Sequence, residues 1–278
     1  MTVRRVFIGY DSRQIISYSV LHSSIITKAC VVPVSICPIS SLTTGVKRKG
    51  LTPFTWARFL VPWLCDYSGW ALFLDADMLA LDDIDNLFKL ADDKYAVMVV
   101  KNQRKFEWAS LMLFNCGHPD NRKLTPEFIE TAENVHSCGW TENVGSLPSE
   151  WNHLSEYDKP RPDAKIVHFT RGIPLFPETR NSEYALDWLA AAEVAMSALS
   201  WRELMGQSVH ARPVYERLAG APANCPVCGE TISKIEHAKK EGGVDRRAIY
   251  ACGHIAVNGV IFNGGNNGDL SGVEKPHL

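Results

Sequence analysis

The segment GWALFLDADMLAL, residues 69–81, constrains this chain more than any other stretch. Its apolar run has the length and composition of a strand buried in a sheet, and it ends at two carboxylates, Asp75 and Asp77, separated by one alanine. Such a pair can cap a following helix or sit in a solvated loop. It can also hold a divalent cation at the edge of a sheet, because hard oxygen ligands suit Mg²⁺ or Mn²⁺. In open α/β sheets ligands collect beyond the carboxyl ends of the strands, which is where Asp75 falls. The intervening alanine leaves a ligand room to approach the loop backbone, and Asp77 can turn into the same crevice.

The segments around it read as alternating strands and helices. RRVFIGYD, VVPVSICPI, WALFLDAD, YAVMVV, SLMLFNC and AKIVHFT are strand-like, with Pro33 and Pro38 pushing the second toward an edge. IISYSVLHSSIITKA and SEYALDWLAAAEVAMSALSWRELM carry helical spacing, the latter with Ser182 as its expected N-cap. TPFTWARFLVPWLCDY and DDIDNLFKLA are expected to be helical as well, the former kinked or begun at Pro62. This alternation predicts an α/β fold with a mostly parallel sheet flanked by helices. The 278 residues suit one sizeable core plus an appendage, and we expect a first domain over 1–208 and a linker and small module over 209–278.

Composition excludes more than it assigns. A formal net charge of −2 gives no global pull toward nucleic acid or an anionic membrane. There is no long uninterrupted apolar run and no signal-peptide pattern at MTVRRVFIGYD, so a cytoplasmic protein without a membrane span is expected. Of eight cysteines, Cys30, Cys37, Cys65, Cys116 and Cys138 are scattered in mostly apolar surroundings, as small core residues in a reducing compartment would be.

Four segments, VFIGYDSR, FTWARFLVPWLCDYSGWALFLDADMLAL, SLMLFNC and LPSEWNHL…IVHFTRGIPLF, occur in an order that resembles the glycogenin-like (family eight) GT-A nucleotide-sugar glycosyltransferases. The resemblance implies a GT-A fold and a metal-dependent, retaining transfer of a sugar from a nucleoside diphosphate, UDP above all, to a hydroxyl acceptor. By that likeness Asp75, Asp77 and His168 would hold Mn²⁺ or Mg²⁺. Arg58 would touch the donor sugar or its phosphates, and Tyr10 and Asp11 the base and ribose. Asn115 and Asn152 would line the donor pocket beside Trp151, with Arg171 a further phosphate contact. Gly172 would let a backbone N–H approach the diphosphate. Each residue also has an ordinary structural explanation: a turn tyrosine, a capping aspartate, a surface arginine, a strand-end asparagine, an edge histidine. Where the family carries an Asp-Gln pair near the reacting sugar, this chain has GWTENVG, with Glu142 or Asn143 as candidate substitutes.

Cys225, Cys228, Cys252 and His254 form a second constellation, spaced C-x₂-C-x₂₃-C-x-H. Four soft or borderline ligands in two glycine-bearing turns suit structural Zn²⁺ in a zinc-ribbon-like module. A redox-active C-x₂-C pair or unligated thiols are the alternatives. Between the turns, KIEHAKKEGGVDRRAIY interleaves basic and acidic residues, so a nucleic-acid contact has weak support. The acceptor is left open among a protein, a saccharide and a modified DNA base. The other reading is a catalytically degenerate transferase scaffold whose zinc module binds a nucleic acid or protein partner.

Overall fold

The structure, a computed structural model, describes residues 3–196, 224–240, 243–257 and 260–262. The chain divides into two compact units, Met1–Met196 and Ser197–Leu278. The domain boundary expected at 208/209 lies outside the described residues.

In the first unit the elements in chain order are β1 (Arg4–Gly9), α1 (Ile15–Lys28), β2 (Val34–Ile39), α2 (Ser41–Thr44), α3 (Val61–Leu64), β3 (Trp70–Leu74), β4 (Met78–Ala80), α4 (Asp85–Phe88), β5 (Val97–Val99), β6 (Leu111–Asn115), α5 (Pro126–Thr131), β7 (Val144–Ser146), β8 (His153–Leu154), β9 (Ile166–His168) and α6 (Ala185–Met196). Six strands form the main sheet in the order β2-β1-β3-β6-β5-β7. The pairs β1–β2, β1–β3 and β5–β7 are parallel, while β6 runs against both of its neighbours.

The strands read as continuous apolar runs because both faces of the sheet are covered. Phe7, Phe73, Met112 and Phe114 face one cluster, closed by Phe59, Leu60 and Trp140. Their neighbours Ile8, Leu72, Leu74, Leu111 and Leu113 face the other, with Leu21, Ile25 and Trp151. This is the period of two that a pleated strand imposes. A smaller sheet, β4-β9-β8, rests on a third cluster in which Val20 of α1, Val167 of β9 and Trp188 of α6 meet.

Three local expectations are corrected. The helix expected over 52–67 is a 3₁₀ turn, Ala57–Leu60, followed by the single turn of α3. Pro62 has no N–H to continue the first segment, and Asp66 and Tyr67, at φ of 49° and 50°, end the second. DDIDNLFKLA contracts to the one turn of α4. Ser182 does not cap α6 through its side chain: its hydroxyl has no hydrogen-bond partner, and its carbonyl accepts the Ala185 N–H.

In the second unit β10 (Ile232–Lys240), β11 (Gly243–Tyr250), β12 (Ile255–Val257) and β13 (Val260–Phe262) form an antiparallel sheet in chain order. Among the described residues no helix is long and apolar enough to cross a membrane.

Candidate active site

Strand register explains why Asp75, Asp77 and His168 meet. The parallel pairing of Ile8 with Leu74 brings the carboxyl ends of β1 and β3 to one edge, with Asp75 next beyond Leu74. The chain turns through Ala76 into β4, where Met78 pairs with His168 of antiparallel β9, and the Phe169 N–H bonds the Asp77 carbonyl at 2.9 Å. His168 Nε2 then lies 3.3 Å from Asp77 Oδ1. Ligand atoms of Asp75, Asp77 and His168 all fall within 4.8 Å of one another.

Arg58 comes to Asp75 through aromatic packing. Its guanidinium carbon lies 5.2 Å from the Phe54 ring centre and 5.1 Å from that of Phe73. A Cβ at Gly9 would stand 2.5 Å from the Phe54 ring, so β1 must end in glycine for this ring to pass. Arg58 Nη1 donates to Asp75 Oδ2 at 3.1 Å and to the Ala109 carbonyl at 3.0 Å. It is also 2.9 Å from Asp75 Oδ1, without the direction of a hydrogen bond.

Because β6 is antiparallel, the residues before Leu111 are the ones beside Asp75. Leu74 pairs with Leu111, and the Asp75 N–H continues the ladder to the Ser110 carbonyl. The 3₁₀ segment Lys105–Ser110 thereby delivers Glu107, which is almost wholly buried. Glu107 Oε1 accepts from the Thr170 hydroxyl at 2.9 Å, and Oε2 lies 3.7 Å from His168 Nδ1. Asn152 Nδ2 donates to the Ser110 hydroxyl at 2.9 Å.

The same antiparallel course removes Asn115. It lies opposite Trp70, at the far end of β3 from Asp75, and its side chain donates to the Asp93 carbonyl. Glu142 and Asn143 are also misplaced: Asn143 immediately precedes β7 at the edge that holds Asn115, and its side chain donates to Asp120. Gly172, at φ 117°, occupies backbone space that only glycine enters readily, but its N–H is already given to the Phe169 carbonyl at 2.7 Å. Asp11 is buried and clasped by Arg13, whose Nη2 lies 2.6 Å from Oδ2. Tyr10 follows β1 at the site's edge, with its ring packed edge-on against Tyr18. Arg13 and Glu107, neither singled out from sequence, are brought in by these contacts. The sequence signal for Glu107 was one acid inside the apolar FEWASLMLF.

A cavity of ≈ 440 Å³ adjoins the cluster, lined among others by Arg13, Ser17, Asp77, Thr170, Arg171 and Gly172. The electrostatics beside it are those of a site short of positive charge. Burial pushes the Asp75 carboxyl up to about 6 despite Arg58. Burial also works against His168 being charged, yet Asp77, Asp75 and Glu107 raise its pKa to about 9. For Asp77, burial acts upward and the imidazole overrides it, so the net shift is downward. Arg58 Nε, Asp75 Oδ1, Asn152 Oδ1 and His168 Nδ1 are buried without hydrogen-bond partners. Unpaired buried polar atoms gathered at one place fit a missing ion or ligand. The donor set, two carboxylates and an imidazole, fits a divalent cation of the Mn²⁺ or Mg²⁺ class.

In the second unit Cys225, Cys228, Cys252 and His254 also have ligand atoms all within 4.8 Å of one another. Two tight turns build this cluster. The Gly229 N–H bonds the Cys225 carbonyl and the Gly253 N–H bonds the Tyr250 carbonyl, with both glycines at left-handed φ of 82° and 87°. Cys252 Sγ is 3.1 Å from His254 Nδ1. Burial acts to raise the Cys225 thiol's pKa, but backbone N–H groups of Val227 and Cys228 aimed at the sulfur turn the net shift downward.

The fold has solved counterparts. It matches the bifunctional glycosyltransferase WbbM at a TM-score of 0.55 and 15% identity, over 78% of this chain and 52% of that one. It matches GlyE of Streptococcus pneumoniae TIGR4 at 0.53 and 15%, over 70% and 63%. The galactosyltransferase LgtC, solved with donor and acceptor sugar analogs, matches at 0.51 and 13%, over 68% and 95%. The chain thus spans about half the length of the WbbM chain and under two thirds of the GlyE chain. The first unit has the GT-A fold that the sequence implied. No family model matches the sequence. Protein CDI of Arabidopsis thaliana is 39% identical over a 225-position alignment that covers 68% of this chain and 86% of that protein. The chain belongs to the CDI family. Within that CDI-type chain, Asp75, Asp77, His168, Arg58 and Glu107 are the side chains that converge at the carboxyl edge of the sheet.

Proposed function

We propose that this CDI-family protein is a metal-dependent retaining glycosyltransferase that takes its sugar from a nucleoside diphosphate donor, a UDP-sugar first. One observation carries the reading: Asp75, Asp77 and His168, remote in sequence, converge on a GT-A sheet edge beside a cavity of ≈ 440 Å³. Asp75, Asp77 and His168 would hold Mn²⁺ or Mg²⁺. Such an ion, when bound, acts as a Lewis acid on phosphate oxygens and stabilises the departing diphosphate.

The remaining work falls to the chain itself. Arg58, held by Phe54, Phe73 and the Ala109 carbonyl, presents a fixed cation beside the carboxylates. Arg13, held by Asp11, and Arg171 line the cavity where an anionic donor would lie. Asn152, anchored to Ser110, keeps a free carbonyl oxygen as acceptor for a donor hydroxyl. Glu107 faces His168 Nδ1 and so favours the tautomer that leaves Nε2 free to ligate. Retention without an assigned protein nucleophile implies that the acceptor attacks from the face the phosphate leaves. Cys225, Cys228, Cys252 and His254 would bind a structural Zn²⁺ in the second unit. The orphaned polar atoms around Asp75 speak against a degenerate scaffold, since nothing would maintain them without a ligand.

The test is donor hydrolysis with Mn²⁺ across a panel of nucleotide sugars. Turnover is expected with a UDP-sugar, and Asp77→Asn should reduce it to background. NMR of the released sugar should show the donor's anomeric configuration. No turnover with any donor, or full activity in Asp77→Asn, would overturn the reading.

A further inference from the structure

Two more cavities follow from the donor cavity, the first sharing Arg13 with it and the second sharing Arg48 with the first. The first, ≈ 320 Å³, is lined by Arg13, Lys47, Arg48, Lys49, Thr52 and neighbouring backbone. Arg13 also lines the cavity that contains Asp77. The second, ≈ 460 Å³, begins at Arg48 and continues along Trp56, Phe106 and His136. Trp56 stands two residues before Arg58, and Phe106 immediately precedes Glu107. The three cavities thus follow one another through shared lining side chains, Arg13 between the donor cavity and the first and Arg48 between the first and the second, as one trough that reaches Asp77 only at its donor end. Each falls within the roughly 300–1,000 Å³ typical of small-molecule sites.

The trough is built rather than a loose basic arm. Arg48 Nη1 donates to the Ile129 and Ala132 carbonyls at 3.0 and 2.7 Å, and its guanidinium lies 3.5 Å from the Trp56 ring centre. The Trp56 indole N–H bonds the Lys49 carbonyl at 3.0 Å, and Arg13 reaches the Leu51 carbonyl. These bonds fix the VKRKG loop, while the Lys47 and Lys49 side chains stay exposed with no carboxylate partner among the described residues. The acids nearby are Asp11, which neutralises Arg13; Glu130, which accepts the Lys47 backbone N–H; and Glu133, which follows the Ala132 whose carbonyl Arg48 binds, so that two acids stand against Lys47, Arg48 and Lys49. The middle of the trough is left net positive on a chain of formal charge −2. Beyond Arg48, the Phe106 ring is 60% exposed. An exposed ring can cover the C–H face of a pyranose while polar neighbours take its hydroxyls.

We infer that this trough is the acceptor site and that the acceptor is an acidic saccharide, its carboxylate or phosphate seated among Lys47, Arg48 and Lys49 and a sugar ring against Phe106. The inference rests on the transferase reading and names that reading's acceptor. Guanidinium and ammonium groups give charge-assisted bonds to either anion.

The experiment uses the full chain with Mn²⁺ and excess UDP, so that the donor cavity is filled. Glucuronate, glucose 6-phosphate, glucose and inorganic phosphate are titrated separately by calorimetry or ligand-observed NMR. Either or both acidic sugars should bind, the preferred one showing which anion is read, and glucose should bind at least about tenfold more weakly. Lys47→Glu with Lys49→Glu, both exposed positions, should abolish the difference and leave UDP binding unchanged. Phe106→Ala should weaken the sugars but not inorganic phosphate. Equal binding of glucose and the acidic sugars, displacement of the sugar by UDP, or inorganic phosphate binding as tightly as glucose 6-phosphate would each overturn the inference. UDP binding with no sugar bound overturns it and spares the donor reading; sugars bound to a protein that takes up no UDP with Mn²⁺ overturns the donor reading and spares the anionic trough.

Discussion

Replacing Glu107 with glutamine removes one buried charge and little else. Volume is kept, and the amide oxygen can still accept the Thr170 hydroxyl, now at 2.9 Å. What is lost is the carboxylate 3.7 Å from His168 Nδ1. At that separation the gross attraction between Glu107 and a charge on the imidazole is about 4 kcal/mol for an effective dielectric near 20. Most of that is offset by desolvation already incurred on burying the acid. The net effect expected is that of losing a carboxylate behind a ligating histidine, a 10- to 100-fold drop in metal affinity, or roughly 1.4–2.7 kcal/mol. The lower end applies if the amide oxygen turns to Nδ1–H. The upper end applies if the amide N–H turns there, which drives the proton to Nε2 and blocks the ligating lone pair. Calorimetric titration of Mn²⁺ into wild type and Glu107→Gln reads this directly, without turnover. Urea unfolding of both ion-free proteins checks that the fold is retained. If wild type binds Mn²⁺ and the variant binds within about twofold, Glu107 does not position His168 and the reasoning fails.

Three further outcomes follow from the structure. Burial, with Arg58 and Arg48 nearby, lowers the His136 pKa to about 4 from its ordinary 6.5, so the folded state resists protonation. This stability is fully present above pH 6.5 and is lost as pH falls toward 4; His136→Phe should flatten the pH dependence of the urea midpoint over that window, whereas parallel curves would refute the assignment. Elemental analysis should find about one zinc per chain, and Cys228→Ser or strong chelation should release it and raise amide exchange in β10–β12, whereas zinc-free protein with unchanged protection would refute the site. Asn152→Ala should weaken UDP-sugar binding about tenfold or more, having lost a buried acceptor, while Asn115→Ala at the opposite sheet edge should leave it within twofold; the reverse pattern would mean that β6 is misread.

Continuous apolar runs made β1, β3 and β6 readable from sequence, since each strand is buried on both faces and terminates in polar residues. Asp75 and Asp77 stood out as a carboxylate pair closing an apolar run, and His168 through the family resemblance of its flanks; the structure brings the three together. Strand direction was not readable. SLMLFNC looks the same whichever way it runs, so matching it to the family's motif put Asn115 at the site and passed over Glu107, which the antiparallel course delivers instead. The 3₁₀ turn carrying Arg58 was hidden for another reason. Its side chains from Ala57 to Pro62 are buried, so tertiary packing overrides the helical preference a local window detects. Arg13 was hidden because its role comes from clasping Asp11, a contact between two residues either of which could have faced solvent.

Strand direction also decides how the site is held together. Asp75 extends a central strand of the main sheet, whereas Asp77 immediately precedes β4 and His168 ends β9 of the three-stranded sheet β4-β9-β8, seated on α1 and α6 through Val20, Val167 and Trp188. The alternation along β9 puts Val167 into that cluster and His168 toward Asp77, so a slip of one residue would exchange them and dismantle the site. The carboxylate cluster therefore straddles two sheets, and its geometry depends on their packing as much as on the residues that line it. A cation shared by Asp75, Asp77 and His168 would tie the two sheets together, so occupancy of the site would stabilise their packing against one another.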